Sequence, residues 1–118
     1  MISWQTLLAA IALVESSGNS GAVNHSENAV GLYQIRPAYV QDANEYARWI
    51  GRHDLQFIHP DDMFCPIKSE RVMILYMARY AGENPTPEKI ARIHNGGPNG
   101  YHKTATESYW ERVKKNLY

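Results

Sequence analysis

The 118-residue chain is 44% apolar and 20% charged, and its twelve basic residues cancel its twelve acidic ones. That composition suits one domain with a modest core and argues against disorder and membrane insertion, while the absence of net charge and of any Lys/Arg run argues against nucleic-acid binding. Cys65 is the only cysteine, so no intrachain disulfide can form, which points to folding in a reducing compartment.

The opening "MISWQTLLAAIALVESS" lacks a positive n-region and its apolar residues are periodic, so it reads as a helix and not as a signal peptide. Ser3 is a good N-cap, and Gly18 is a natural stop after Ser17. At about 100° per residue, Trp4, Leu8, Ile11 and Glu15 share one face. Glu15 therefore lies on the apolar side at the C-terminal end of the helix. Desolvation and the negative end of the helix macrodipole both favour the protonated carboxyl there. A protonated carboxyl in an apolar site suits a general acid. The alternative is a capped or salt-bridged surface glutamate on a helix rotated from this phase.

Residues 21–35, "GAVNHSENAVGLYQI", place two short β-prone runs, "AVN" and "AVGLYQI", around a polar turn, which predicts a small hairpin or irregular ribbon. Glu27 in that turn is the leading second carboxylate, because glycoside hydrolysis commonly sets two carboxyls across the scissile bond. Its other reading is a solvated turn residue. Asp42, Asp54, Asp61 and Asp62 are weaker candidates.

Pro37 suits the first turn of a second helix, with Tyr39, Ala43, Tyr46 and Ile50 on one face and Gly51 closing it. Residues 52–64 read as loop. Pro66 opens a third helix, with Ile67, Ile74, Met77 and Ala81 together and Gly82 at its end. Thr86 caps a short helix from Pro87 to His94, which "NGGPNG" halts. "TATE" offers a capping box, Thr104 with Glu107, for a last helix to about Asn116, with Trp110, Val113 and Leu117 inward. The expected fold is a mainly helical α+β domain over residues 1–118, with about five helices and one small hairpin.

Other chemistries find no pattern. His25, His53, His59, His94 and His102 lack metal-ligand spacing, so neither metal nor cofactor is expected. Ser16 and Ser17 follow no strand–turn–helix elbow, and no phosphate-cradling glycine motif occurs. Eight tyrosines and three tryptophans supply rings that stack on sugars, although core packing is their default use.

Three blocks then occur in order: "ESS" at 15–17, "GLYQI" at 31–35 and "IHNGGPNG" at 93–100. Their order resembles the lytic-transglycosylase (SLT) and goose-type lysozymes, in which E-S is followed by G-L-M-Q, a Y-N-x-G block and a late tyrosine. Tyr33 stands where that pattern has methionine and His94 where it has tyrosine, while Tyr109 falls at the late tyrosine. "YMARYAG", "ARIHNGGPNG" and "ATESYWERVKK" are more similar still to the invertebrate-type (destabilase-like) lysozymes.

The resemblance implies a lysozyme-like fold and a monomeric enzyme acting on peptidoglycan strands at the β-1,4 bond between the two amino sugars. It implies Glu15 as general acid and Glu27 as second carboxylate, although the related lysozymes usually have Asp there. Gly31, Tyr33, Gln34, His94, Asn95, Gly96 and Tyr109 would form the substrate-binding walls, with Gln34 or Asn95 touching substrate or Glu15 and Tyr109 orienting Glu15. Gly31 would suit a backbone approached closely by sugar. The alternatives are a lytic transglycosylase giving 1,6-anhydro products and a non-catalytic glycan-binding module. The family is usually disulfide-rich, and this chain lacks disulfides. Production in a reducing cytoplasm, as a phage lysis (endolysin) or virion-associated protein acting on the cell wall, is the expected origin.

Overall fold

The computed structural model describes residues 2–118. Ser3 starts the first helix, α1 (Trp4–Ser16), by accepting the Thr6 N–H on its hydroxyl at 3.1 Å. A two-stranded antiparallel hairpin follows, β1 (Val23–Asn24) with β2 (Ala29–Val30), in a register that pairs Val23 with Val30 and Asn24 with Ala29. Then come α2 (Pro37–Trp49), α3 (Pro66–Tyr80), α4 (Pro87–Gly96) and α5 (Glu107–Lys115). Prolines at the first turns of α2, α3 and α4 lack an N–H that the helix start would leave unpaired. Thr86 caps α4 by accepting the Lys89 N–H at 3.2 Å.

The core sits where the five helices meet, centred on Leu7 and Ile11 of α1, Ala43 of α2, Val72 and Met73 of α3, Ile93 of α4 and Val113 of α5. The Tyr39 and Tyr76 rings stack at 3.7 Å and join α2 to α3. With no disulfide, this packing carries the stability. Full burial of a side chain such as Ile11 contributes about 1.5–3 kcal/mol.

Several expected details are corrected. The run "AVGLYQI" is strand only at Ala29–Val30, because Gly31 (φ 86°) and Gln34 (φ 53°) turn the chain; Ile35 then bridges back to Val30. A Cβ on Gly31 would overlap the Met63 carbonyl, so this close approach of two backbones requires glycine. The loop at 52–64 contains a 3-10 turn, Asp61–Phe64. On α3, Ile67 and Ile74 face solvent, 65% and 48% exposed, and the buried stripe runs through Ser69, Val72, Met73 and Tyr76. Ser69 holds that inward position because its hydroxyl donates to the Met63 carbonyl at 3.0 Å. Ile50 lies beyond α2 and is exposed, and Ala47 takes the core position one turn earlier.

α4 runs through Asn95 and Gly96 and ends at Gly97 (φ 87°). Thr104 forms no capping box: residues Thr104–Thr106 make a 3-10 turn, and α5 begins only at Glu107. Trp110 and Leu117 pack against the core while partly exposed. Among the described residues, no helix is long and apolar enough to cross a membrane.

Candidate active site

α1 delivers Glu15 to a cavity of about 670 Å³. The helix ends one residue later, where Ser17 takes a left-handed conformation (φ 55°) and its N–H donates to the Leu13 carbonyl at 3.1 Å. Ser16, between them, holds the neighbouring segment: its Oγ lies 2.7 Å from the Leu32 carbonyl oxygen and donates to it. The "ESS" block thus places a carboxylate, a stitch to the 31–35 turn and a helix stop in consecutive positions.

The Glu15 side chain is 19% exposed. Tyr109 Oη, on α5, donates to Glu15 Oε2 at 2.8 Å. Burial, with the Glu15 charge and this hydrogen bond behind it, pushes the Tyr109 hydroxyl well above its usual range. Tyr109 therefore keeps its proton and remains a donor.

His94, on the last turn of α4, approaches the same oxygen, with Nε2 at 3.5 Å from Glu15 Oε2. Its tautomer follows from its other partners. Nε2 lies 2.8 Å from the Tyr33 carbonyl, which can only accept, so Nε2 carries the hydrogen. Nδ1 then accepts from Tyr39 Oη at 2.9 Å. Burial lowers the His94 pKa, with the nearby Glu15 charge opposing, so the ring is neutral at neutral pH. Tyr39 is raised well above its usual range, chiefly by burial, and stays a donor. A run of hydrogen bonds, Tyr39 to His94 to the Tyr33 carbonyl, fixes the imidazole beside Glu15.

Glu27 lines the same cavity but is held differently. Its Oε1 pairs with Arg36 at 2.9 Å, and its Oε2 accepts from Asn24 Nδ2 at 3.2 Å. Both members of the ion pair are about half exposed, 51% and 52%. Solvent screening leaves such a pair little net stabilisation.

Gln34, Asn95 and Gly96 also line the cavity. Gln34 Nε2 donates to the Gly31 carbonyl at 2.9 Å and the Ala22 carbonyl at 3.2 Å, so it locks the turn and makes no hydrogen bond to Glu15. Asn95 and Gly96 belong to the last turn of α4 and not to a loop. Two expected wall residues are corrected. Gly31 is buried against the Met63 backbone, and Tyr33 is 6% exposed with only its carbonyl used, by His94; neither lines the cavity.

Of the weaker carboxylates, Asp42 lines the cavity and accepts from Tyr80 Oη at 3.1 Å. The others lie off its wall. Asp54 pairs with Arg52 at 3.0 Å, Asp62 accepts the Ile58 N–H at 2.7 Å, and Asp61 opens the 3-10 turn. No motif marks out Arg36, Lys103 and Arg112, which add three cations to the wall. Lys103 Nζ donates to the Gly96 carbonyl at 2.6 Å, and the Arg112 guanidinium lies 5.6 Å from the Tyr109 ring centre. The only local signal was the three-residue offset of Tyr109 and Arg112 on one helix face. Among the described residues, no three of His, Cys, Asp and Glu gather as a metal site.

The chain is similar to known proteins. Lysozyme 1 of Crassostrea virginica is 49% identical over 92 residues, covering 75% of this chain and 45% of that protein. Lysozyme of Magallana gigas is 36% identical over 87 residues, covering 70% and 56% respectively. The chain thus spans about half the length of these curated relatives. The crystal structure of Tapes japonica lysozyme superposes with a TM-score of 0.77 at 27% identity, over 94% of this chain and 88% of that one. The crystal structure of Aeromonas hydrophila PliI in complex with Meretrix lusoria lysozyme gives a TM-score of 0.78 at 28% identity, with the same coverage.

These relatives overturn the expected phage and cytoplasmic origin, since they come from invertebrate animals. The lone cysteine fixes how the core is held, by packing without an intrachain disulfide, and carries no information on compartment. The fold is the lysozyme-like one, and the family model of the transglycosylase SLT domain matches residues 2–117: the chain belongs to that family.

Proposed function

We propose that this chain is a muramidase, cleaving the β-1,4 bond between N-acetylmuramic acid and N-acetylglucosamine in peptidoglycan. The observation that carries this reading is Glu15: a carboxyl four-fifths buried at a helix end, oriented by the Tyr109 hydroxyl and facing a cavity of about 670 Å³. The similarity to invertebrate lysozymes supports it. Residues 1–118 act as one catalytic domain, as a monomer, without nucleic acid.

Glu15 gives its proton to the glycosidic oxygen as the bond from the sugar C1 breaks. Positive charge develops on C1 and the ring oxygen, and Glu27 stabilises it or bonds to it. Water then adds its hydroxyl to C1 and returns its proton to Glu15. Tyr109 keeps the carboxyl in place through the cycle. His94, neutral and donor-bound, offers an N–H near Glu15 without adding a full positive charge. Gln34, Asn95 and Gly96 form walls against the sugars.

A second reading has its own observation. Glu27 is half exposed and already paired with Arg36, which leaves Glu15 able to work alone as acid and then base. The 6-hydroxyl of the muramic acid would then attack C1, giving a 1,6-anhydro end, as in a lytic transglycosylase. Mass spectrometry of digested peptidoglycan separates the two. Reducing-end muropeptides are expected. Products lighter by one water would transfer the assignment to transglycosylation, and no soluble product would reduce the chain to a glycan-binding module.

A further inference from the structure

We propose that the glycan-binding surface continues out of the cavity along α2 to a second, distal sugar site, where Trp49 and Tyr46 form a stacking platform flanked by Glu45 and Arg79. This inference rests on the reading of the cavity as a glycan cleft.

Trp49 is 81% exposed, whereas Trp4 and Trp110 pack against the core. An indole left in water is a large apolar surface without a folding role. It is not isolated. Tyr46 lies beside it, ring centres 5.9 Å apart, and the two rings with Glu45 and Arg79 enclose a depression of about 360 Å³.

This depression is connected to the cleft by one helical stripe. Asp42, Glu45 and Trp49 are spaced i, i+3 and i+7, so they lie on one side of α2. Asp42 lines the main cavity, and Glu45 and Trp49 line the distal one. Arg79 on α3 spans the interval: one nitrogen donates to the Asp42 carbonyl at 2.9 Å and the other to Glu45 Oε1 at 2.9 Å. Seven residues at ~1.5 Å each set Trp49 roughly 10 Å beyond Asp42 along the helix axis. A polymeric substrate leaving the cleft over Asp42 would meet the platform with its next sugars.

The chemistry suits a neutral amino sugar. A sugar ring has an apolar C–H face for the aromatic surfaces and a rim of hydroxyls for the polar groups. Glu45 can accept from those hydroxyls and Arg79 can donate to them. Because the two cancel in charge, the site favours neither an acidic nor a basic macromolecule.

The test measures sedimentation of protein with insoluble peptidoglycan, using Glu15→Gln as background to prevent digestion. Adding Trp49→Ala is expected to weaken binding about tenfold, and Trp49→Phe to restore most of it. With Glu15 intact, the Trp49→Ala loss in kcat/KM on whole wall should exceed its loss on a short oligosaccharide by about the same factor. Undiminished wall binding by Trp49→Ala overturns the proposal, as does a concentration-dependent dimer that Trp49→Ala abolishes without changing wall binding. If the unaltered protein cleaves nothing, the muramidase reading fails, while the binding isotherms still decide the distal site.

Discussion

Glu15 is the penultimate residue of a 13-residue helix with 19% of its side chain exposed, and its partners are a phenol and a neutral imidazole. Glu27 sits in the turn between two-residue strands with 52% exposed, and its partners are a guanidinium and an amide. Both line one cavity. The side chains against Glu15, Tyr109 and His94, carry no charge. The side chain against Glu27 is the Arg36 guanidinium, a full cation. Under the proposed muramidase reading, the difference suits two roles in glycoside cleavage, acid at Glu15 and electrostatic partner at Glu27.

The largest expected effect comes from removing the donor. Glu15→Gln keeps shape and can still accept from Tyr109, but has no proton to transfer. Clearing of cell walls should fall on the order of 10²–10⁴-fold, the range for losing a general acid, with the thermal melt close to that of the unaltered protein. Undiminished clearing would refute every mechanism that gives Glu15 the acid role. Glu27→Gln comes next. For a two-carboxylate muramidase, kcat should fall by roughly 10²-fold, the scale of losing one electrostatic stabiliser. Stability should change by no more than about 0.5 kcal/mol, because the Arg36 pair is exposed. A rate within about twofold of normal, together with anhydro products, would break the division of labour and leave Glu15 as sole catalyst.

How far this site was readable depends on the range of the interactions. Helix starts at Ser3, Pro37, Pro66 and Thr86 and the stop after Ser17 are local, set by capping hydroxyls, proline and glycine, and they are legible. The burial of Glu15 follows from helical phase. The Tyr109 hydrogen bond joins residues 94 positions apart, and only the resemblance pointed to it. Nothing local indicates that Gly31 is glycine because of the Met63 carbonyl rather than a sugar. Ser69 misleads in the same way: a hydroxyl satisfied by Met63 occupies a core position, and the isoleucines that look more apolar are left outside. Arg36, Lys103 and Arg112 converge on the cavity from separate segments, an arrangement that no periodicity encodes.

The smallest expected effect asks whether the neighbourhood of Glu15 is neutral. Burial lowers the His94 pKa below its usual 6.5. Between those two values the unfolded chain binds a proton that the folded chain does not, so stability is fully present above about pH 6.5 and declines as pH falls through that window. Asp62, held low chiefly by the Ile58 N–H, and Asp54, held low chiefly by its hydrogen bond from Arg52, lose their contributions only nearer the usual carboxylate range. The interval just below pH 6.5 therefore reports on His94. Thermal melts from about pH 7 to about pH 5.5 should show a falling midpoint for the unaltered protein and a flatter line for His94→Gln, whose amide can still donate to the Tyr33 carbonyl and accept from Tyr39. Equal slopes would mean that His94 accepts its proton in the folded state without cost. That outcome would place an imidazolium 3.5 Å from Glu15 and make its surroundings resemble those of Glu27 beside Arg36, removing the contrast between the two carboxylates.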